Sequence, residues 1–369
     1  MQQGTISMEL EQLVEPLLAW YYGHARVLPW REEPTPYRVW ISEIMLQQTR
    51  VEAVKPYFER FIEALPTIQM LADAKEDRLL KLWEGLGYYN RVRNLQKAAQ
   101  TIMEQYDGKI PSTIEELQTL AGIGSYTSGA IASIAYGHAV PAVDGNVLRV
   151  ITRVTADSAD ILNATVKKRI EASLKEIMPQ GQAGAFNQAL MELGAMVCIP
   201  NGTPKCEECP WNKMCLARVQ DCIAEIPHKT PKKPRKIEEK TILVIQDENK
   251  AAIRKRPSTG LLAGLYEFPM IEGIADVAQV IEYVEHLGFH PLRVQQLESS
   301  KHIFTHKEWH MTGYAVKVDE LNRPLATQDM QGLILIETQT TEDSYPIPAA
   351  FAAYTKYLHI RLGNEKFRK

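Results

Sequence analysis

The chain has 369 residues, 45% of them hydrophobic and 24% charged, and its formal net charge at pH 7 is -3. This balance is typical of a globular protein with enough residues for two domains. No apolar run reaches the ~18 residues of a membrane span, and the N-terminus lacks the pattern of a secretory signal. We therefore expect an intracellular, cytoplasmic protein without membrane contact. The overall charge does not indicate whether the protein binds nucleic acid, so that prediction depends on sequence motifs.

The first part of the chain, residues 1–225, has helical periodicity. Thr35 followed by Pro36 predicts a helix start. The helix predicted from Tyr37 to Gln48 is apolar on nearly every side, which indicates burial. Ser112 and Glu115 have the spacing of a capping box. We predict an all-α region here, in which Pro16 either kinks the first helix or begins it.

The second part of the chain has a different pattern. Residues 226–240 contain three prolines, and six basic residues lie between Lys229 and Lys240, which predicts a basic linker. After it, residues 241–369 are predicted to form an α+β domain. The predicted strands cover residues 241–246, 251–256, 309–318 and 332–337, and the predicted helices cover residues 277–287 and 349–362.

All five cysteines lie between Cys198 and Cys222. Four of them follow the spacing x7, x2, x5, and these are Cys198, Cys206, Cys209 and Cys215. Such clustering in a large intracellular chain indicates a metal site rather than a disulfide framework. Four thiolates can hold either an iron–sulfur cluster or a zinc ion, and Cys222 falls outside the pattern.

Two further motifs carry chemistry. In the segment Leu120–Thr127, Gly122 and Gly124 allow a tight turn, and the helix that follows offers free N–H groups to a phosphate. A plain helix–helix turn would have the same pattern. About twenty residues later, the sequence Pro-Ala-Val-Asp-Gly-Asn-Val places Asp144 and Asn146 before another predicted helix.

These motifs together resemble the helix–hairpin–helix DNA glycosylases, and the cysteine group resembles the branch that carries a [4Fe–4S] cluster. Three N-terminal segments resemble the adenine DNA glycosylase (MutY) family within it: Leu28–Arg31, Ser42–Arg50 and Trp83–Tyr89. The resemblance implies a six-helix bundle, a cluster-bearing helical domain and a Nudix-like C-terminal domain. It also implies a base excision repair enzyme that removes adenine mispaired with 8-oxoguanine or guanine in double-stranded DNA, and we expect a monomer.

The resemblance assigns roles to particular residues. The implied catalytic residues are Glu43, Asp144, Tyr126 and Asn146. The implied substrate-binding residues are Arg26, Leu28, Trp30, Arg31, Gln48, Tyr88, Gln188, Phe304, Thr305 and His306. Gly122 and Gly124 would contact the DNA backbone, and the four cysteines would bind the cluster.

The residue types fit that chemistry. Glu43 lies in an apolar helix, where desolvation favours the neutral acid that a proton donor requires. Asp144 lies just before a helix start, where a carboxylate stays ionised. Glu43 could instead pair with an arginine, and Asp144 could be only an N-cap. Tyr126 occupies the position at which related lyases carry a lysine, so a monofunctional enzyme is predicted.

Three features depart from the family pattern or limit it. The first cysteine gap is x7 where the family has x6. Phe304-Thr305-His306 replaces the family's Phe-Ser-His. A Nudix hydrolase would need a glutamate-rich helix that binds metal, but the helix predicted over 277–287 carries only Glu282 and Glu285. We therefore expect a recognition domain without hydrolase activity. The alternatives are a thymine-glycol-type glycosylase/lyase and a non-catalytic DNA-binding protein that uses the hairpin alone.

Overall fold

The computed structural model describes residues 9–231, 233–248, 250–321, 332–338 and 344–363. The chain divides into two compact units. Unit 1 comprises Met1–Asp73 and Asn94–Lys232, and unit 2 comprises Ala74–Arg93 and Lys233–Lys369. Residues 74–93 therefore pack with the C-terminal part of the chain, although they lie within the predicted helical region in sequence.

Unit 1 is helical throughout its described residues, with short 3₁₀ turns at Leu10–Leu13 and Cys206–Glu208. Its α-helices are α1 (Val14–His24), α2 (Pro29–Glu32), α3 (Pro36–Leu46), α4 (Val51–Ala64), α5 (Ile68–Ala72), α7 (Asn90–Gln105, whose first turn belongs to unit 2), α8 (Ile114–Leu117), α9 (Ser125–Ile134), α10 (Gly145–Val154), α11 (Ala164–Glu176), α12 (Ala183–Met196) and α13 (Leu216–Val219). The helix α6 (Glu76–Leu82) belongs to unit 2.

Helix starts follow the sequence signals closely, with small differences. Thr35 caps α3 by accepting a hydrogen bond from the Arg38 amide, and Pro36 is the first helical residue, as predicted. The helix ends at Leu46, before the predicted Gln48, because the backbone of Gln47 leaves the helical region with ψ of 113° and Gln48 is left-handed with φ of 58°.

Two other predicted signals were wrong in detail. Thr113, rather than Ser112, caps α8 and accepts from the Glu116 amide at 3.3 Å. Pro16 does not begin α1, which starts at Val14 and accommodates the proline in its first turn, where no intrahelical donor is lost.

The apolar faces of α1, α10, α11 and α12 form one core of unit 1. The fully buried ring of Trp211 completes it and donates to the Leu13 carbonyl at 2.9 Å. Because Trp211 lies between Cys209 and Cys215, this contact fixes the cysteine-bearing segment to the start of the chain.

Unit 2 is built on a mixed sheet with the strand order β3-β2-β1-β6-β5, in which β4 also pairs with β1 and β7 with β2. The strands are β1 (Lys236–Gln246), β2 (Lys250–Lys255), β3 (Tyr266–Glu267), β4 (Met270–Glu272), β5 (Pro291–Ile303), β6 (Lys307–Val318) and β7 (Leu333–Glu337). The central pair, β1 and β6, is parallel, and the β5–β6 pair is antiparallel.

Both faces of the sheet are covered. Ile242 and Val244 of β1 face a core that includes Phe351, whereas Leu243 and Ile245 face a second core with the helix α14 (Val277–His286). Burial on both faces explains why residues 242–245 of β1 form a continuous apolar run and not an alternating apolar and polar pattern.

The strand predictions fail where a strand is polar. β1 starts at Lys236, inside the predicted linker, because its polar first half pairs with β6 from Lys307 onward. The 13-residue strand β5 was not predicted. It is an edge strand in which only Leu297 is buried, so it has no alternating apolar signal.

The helix predicted over 349–362 is also wrong in most of its length. Only Ala352–Thr355 is α-helical (α15), flanked by 3₁₀ turns at Ala349–Phe351 and Lys356–Leu358, and His359 is left-handed. This break lets Ile360 and Leu362 enter the same core as Tyr354.

The predicted fold class is confirmed: a helical region is followed by a C-terminal domain that combines a sheet with helices. Among the described residues, no helix combines the length and apolar character that crossing a bilayer would require.

Candidate active site

A cleft of about 670 Å³ opens in unit 1 between α2, α3, α9 and α12. It brings together most of the predicted catalytic and substrate-binding residues, which are Arg26, Leu28, Trp30, Arg31, Glu43, Gln48, Tyr126, Asp144, Asn146 and Gln188. Residues far apart in sequence thus meet at one concave surface of the size that suits a small ligand or an extruded base.

Glu43 is a buried carboxyl in the wall of this cleft, and only 5% of the residue is exposed. Burial raises its pKa to about 7, a shift that the hydrogen bond from the Tyr126 hydroxyl opposes and the negative charge of Asp144 increases. Among the residues that the structure describes, Glu43 forms no ion pair with an arginine, and the nearby Arg31 pairs with Glu192 instead. Glu43 can therefore exchange a proton near neutral pH.

Asp144 caps helix α10. One carboxylate oxygen accepts from the amides of Asn146 and Val147, both at 2.8 Å, and the other accepts from the Asn146 side chain at 2.7 Å. Burial raises the pKa of Asp144, while these donors act in the opposite direction. Asp144 thus caps a helix and also lines the cleft, so its N-cap role is compatible with the predicted catalytic role.

Asn146 is fixed in turn by Arg149, whose guanidinium donates to the Asn146 side-chain oxygen Oδ1 at 2.9 Å and to the backbone carbonyl of Cys198 at 2.8 Å. The asparagine amide is thereby oriented with its NH₂ group toward Asp144. The sequence predicted Asn146 for the site but gave no sign of this arginine.

Glu192 is a cleft residue that the sequence interpretation missed. Its carboxylate is 2% exposed and pairs with Arg26 at 2.7 Å and Arg31 at 3.0 Å. Burial raises the pKa of Glu192, but the two guanidiniums outweigh it and the net shift is downward. The signal was available, since Glu192 lies one helical turn after Gln188 and hence on the same face of α12.

Trp30 and Leu28 are buried at 5% and 2% exposure and also line the cleft. The Trp30 ring packs edge-on against Phe58 at 5.4 Å, so its core role and its place at the cleft coexist. Gln48 is exposed at the cleft, where its left-handed backbone projects it from the end of α3.

The predicted phosphate-binding turn connects α8 to α9. Gly122 has φ of +78°, and a Cβ there would lie 2.8 Å from the Asn94 Cβ, so glycine is required. Gly124 precedes α9, and a Cβ there would meet no atom within 4 Å, which leaves its backbone open to approach.

The four predicted metal ligands line one small cavity with Arg153 and Arg218. Arg153 donates to the Cys198 sulfur at 3.3 Å. Across the described ranges, no three histidine, cysteine, aspartate or glutamate side chains form a group that could hold a metal ion. Only the chemistry of the donor set, four partly buried thiols lining one cavity, fits a thiolate-bound cluster; their present spacing does not form a metal-binding group.

The remaining predicted residues lie in unit 2. Tyr88 is 48% exposed and has a left-handed backbone with φ of 49°. Its loop, Trp83–Tyr89, is held internally: the Trp83 indole donates to the Gly87 carbonyl at 3.1 Å, and Arg91 donates to the Leu86 and Gly87 carbonyls. These hydrogen bonds hold the backbone of the loop from which the exposed Tyr88 side chain projects.

Phe304, Thr305 and His306 form the tip of the β5–β6 hairpin. The Phe304 ring packs on Trp309 at 4.9 Å, while Thr305 and His306 are exposed. The Thr305 hydroxyl lies 3.4 Å from the Tyr88 hydroxyl, so the two polar groups are adjacent in unit 2. The phenylalanine anchors the tip, and the two polar residues are free to contact a ligand.

Comparison with known proteins identifies the family. Residues 41–180 match the family described as HhH-GPD superfamily base excision DNA repair protein, and residues 241–357 match the NUDIX domain. The mouse adenine DNA glycosylase is 35% identical over 362 residues, covering 82% of this chain and 70% of the mouse protein. The chain belongs to the adenine DNA glycosylases.

Other relatives agree with this assignment. The adenine DNA glycosylase of Buchnera aphidicola subsp. Acyrthosiphon pisum is 40% identical over 256 residues, covering 69% of this chain and 72% of that protein. The human one is 37% identical over 309 residues, and the alignment spans 69% of this chain but 56% of the human protein. A thermostable thymine-DNA glycosylase structure has a TM-score of 0.51 at 26% identity and covers 57% of this chain and 96% of its own.

The predicted enzyme class, an adenine DNA glycosylase of base excision repair, is confirmed by this membership. The helix–hairpin–helix and Nudix-like assignments are confirmed as well. The roles of individual residues remain predictions.

Proposed function

We propose that this adenine DNA glycosylase hydrolyses the N-glycosidic bond of adenine paired with 8-oxoguanine or guanine in duplex DNA, without cleaving the strand. The observation that carries the proposal is the cleft in which Glu43, a buried carboxyl with a pKa of about 7, lies with Asp144. Two carboxyl groups in different environments can divide the acid and the charge-stabilising roles of glycoside hydrolysis.

Glu43 supplies the proton. An adenine that leaves as an anion is a poor leaving group, so protonation of the base lowers the barrier to bond cleavage. In its neutral form Glu43 donates that proton, and Tyr126, which donates to the carboxyl, fixes its orientation. Tyr126 has no amine with which to form a Schiff base, so water and not an enzyme amine adds to the sugar C1′ as adenine leaves, and the sugar stays in an unbroken strand.

Asp144 stabilises the sugar. As adenine leaves, positive charge develops on the sugar ring, and a carboxylate held by three hydrogen bonds is oriented without reorganisation. Asn146 is its orienting partner, through the Nδ2 contact to Asp144.

The extruded adenine would occupy the cleft, as an enzyme acting on a base within a duplex requires. Trp30 and Leu28 offer apolar surface, and Arg26, Arg31 and Gln188 offer polar groups at the wall. Glu192 positions the two arginines. Gln48 and Tyr88 are proposed to fill the space that the extruded base leaves, and Gly122 and Gly124 to contact phosphates through their backbone.

Choice of the mispair requires a second set of contacts, because adenine itself is identical in correct and incorrect pairs. We assign the reading of 8-oxoguanine to Thr305 and His306 at the β5–β6 tip. Their exposure and their polar groups support this assignment.

We also propose that Cys198, Cys206, Cys209 and Cys215 hold a [4Fe–4S] cluster, for which the shared cavity and the Arg153 contact are the support. When bound, such a cluster would supply four bonds that tie the segment 198–215 together.

The test is a base-release assay under single-turnover conditions on duplexes containing A:8-oxoguanine, A:G, A:C and A:T. Free adenine is expected from the first two, with strand breaks only after alkali treatment. Strand scission without alkali, together with a borohydride-trapped adduct, would favour the lyase alternative. Duplex binding without any adenine release would favour a DNA-binding protein.

A further inference from the structure

Glu84 is a buried carboxyl that the proposed mechanism does not use. It lies in unit 2 at the start of the loop Trp83–Tyr89, and only 1% of the residue is exposed. A carboxylate buried to this degree is costly unless its oxygens are fully paired, so its partners indicate what it does.

Within the described part of the chain, three donors contact Glu84. Lys81 donates its ammonium to Oε1 at 2.9 Å, and the Ile347 amide donates to the same oxygen at 2.9 Å. The Gly363 amide donates to Oε2 at 3.2 Å. The Lys81 ammonium also donates to the Tyr345 carbonyl at 2.9 Å. Glu84 and Lys81 therefore join the loop to the C-terminal segment 344–363, which is distant in sequence.

The other end of the loop carries Tyr88. Its backbone is left-handed, and its hydroxyl lies 3.4 Å from that of Thr305. Between Glu84 and Tyr88 the loop is stiff, because Arg91 donates to the carbonyls of Leu86 and Gly87 at 3.0 and 3.1 Å. A displacement at Glu84 would consequently be transmitted to Tyr88.

We propose that Glu84 is a positioning residue for mispair specificity: it fixes the loop Trp83–Tyr89 on the C-terminal segment, so that Tyr88 and Thr305 form one surface that reads the base opposite adenine. The inference rests on the proposed function, since it assumes that Thr305 reads the lesion. It adds a residue that touches neither the cleft nor the hairpin tip.

The chemistry at this position requires a carboxylate. The three partners that the structure describes are all donors, and a carboxylate offers acceptors on both oxygens. Glutamine has nearly the same shape, but its NH₂ group would face a backbone N–H or the Lys81 ammonium, and a buried donor would lose its partner. Glu84→Gln is therefore the informative variant. Glu298→Gln is the matched control, because Glu298 is 80% exposed in its side chain and pairs with Lys356 on the surface of the same unit.

The experiment measures single-turnover adenine release from A:8-oxoguanine and A:G by the full chain. The variants are Glu84→Gln, Glu298→Gln, Thr305→Ala and the double variant Glu84→Gln/Thr305→Ala. We expect Glu84→Gln to lower the A:8-oxoguanine to A:G rate ratio by about fivefold or more. The A:G rate should stay near that of the parent, and the control should keep the parent's ratio. Because Glu84 acts through the Tyr88–Thr305 contact, the double variant should have the same ratio as Thr305→Ala alone.

An equal loss on both substrates with an unchanged ratio would mean a merely structural role and would overturn the inference, as would independent, multiplying effects in the double variant. If Thr305→Ala keeps the parent's ratio while Glu84→Gln lowers it, the lesion-reading role of Thr305 in the proposed function is wrong. The part of the inference in which Glu84 acts through Thr305 is then overturned, and only the positioning of Tyr88 by Glu84 is supported.

A second readout does not depend on DNA. Hydrogen exchange of peptides covering 344–363 should be faster in Glu84→Gln than in the parent, and equal exchange would overturn the inference. If Glu84→Gln is recovered poorly, Glu84→Asp replaces it. That variant keeps the negative charge but has a shorter side chain, so we expect a smaller loss of the A:8-oxoguanine to A:G rate ratio. An unchanged ratio in Glu84→Asp would contradict the proposal.

Discussion

The Tyr126 hydroxyl donates a hydrogen bond to the Glu43 carboxyl inside the cleft of unit 1. This contact favours the ionised carboxylate, yet burial outweighs it and raises the pKa of Glu43 to about 7. Both the neutral and the ionised form of Glu43 are therefore populated near neutral pH. The rate of adenine release and the free energy of unfolding should both depend on this titration.

The first prediction concerns the pH dependence of adenine release. Because the neutral form of Glu43 is the donor, kcat/KM should fall as pH rises through about 7. The ionised form of Asp144 is required, and burial raises its pKa, so activity should also fall on acidification, at a pH above the ordinary value for aspartate. The measurement is kcat/KM for an A:8-oxoguanine duplex from pH 4 to about 9.

Tyr126→Phe provides the control for this profile. It removes the hydrogen bond that lowers the pKa of Glu43, so the alkaline limb should move to higher pH. If the alkaline limb of the pH profile does not move in Tyr126→Phe, the limb does not report the titration of Glu43.

The second prediction concerns stability. The folded protein favours neutral Glu43, so the stability associated with that proton is present below the unfolded pKa, near 4.5, and is lost as pH rises to about 7. Glu43→Gln is never ionised. At pH 8 it should unfold with a free energy higher than the parent's by up to about 3 kcal/mol, whereas at pH 4.5 the difference should be near zero. Urea unfolding at both pH values measures this, and an equal difference at both would show that Glu43 does not titrate as described.

The third prediction tests the hydroxyl at the hairpin tip. Thr305→Val keeps the shape and removes the hydroxyl, and Thr305→Ser keeps the hydroxyl and removes a methyl group. The valine variant should lose about fivefold or more of the A:8-oxoguanine to A:G rate ratio, and the serine variant should keep it. Equal ratios in the two variants would exclude a hydrogen bond from this hydroxyl.

Point variants are preferable here to a chain truncated near residue 225. Residues 74–93 pack with the C-terminal part of the chain in unit 2. A truncation would remove the hairpin tip and also the partners of Glu84 and Lys81, and it would thereby disturb Tyr88.

The fourth prediction concerns the cysteines. Purified protein should be brown, with broad absorption near roughly 400 nm, as expected for a thiolate-bound iron cluster. Cys209→Ser should bleach it and destabilise unit 1, because the Trp211 contact to Leu13 lies in the same segment. Cys222→Ser is the control and should leave the colour unchanged. A colourless protein with stoichiometric zinc would contradict the cluster assignment.

Much of the cleft could be predicted from sequence because its residues lie in local motifs. The Asp144 cap follows from an aspartate before an apolar helix, and the turn at Gly122 requires a left-handed backbone. Glu192 was missed although it lies one helical turn after Gln188, because its pairs with Arg26 and Arg31 depend on packing between distant segments. Arg149 lies three residues after Asn146, but its bond to the Cys198 carbonyl likewise depends on tertiary packing. Glu84 was missed for the same reason, since its acceptors matter only when residues 345–363 fold against them.

The limits of the fold prediction have a related origin. β1 was found because both of its faces are buried, whereas the edge strand β5 has a polar sequence and gains its structure by pairing with β6. The C-terminal residues have a helical apolar pattern, but the break at His359 depends on the core around Tyr354, which the local sequence does not reveal.

The most direct test of the account is adenine release from an A:8-oxoguanine duplex by the parent, Glu43→Gln and Asp144→Asn, with duplex binding measured in parallel. Glu52→Gln is the matched control, because Glu52 is 73% exposed in its side chain and pairs only with Lys55 among the ion pairs described. The account predicts rapid release by the parent and the control, and a loss of about 100-fold or more in both site variants with binding retained. Release within a few-fold of the parent by Glu43→Gln would contradict the assignment of Glu43 as the proton donor.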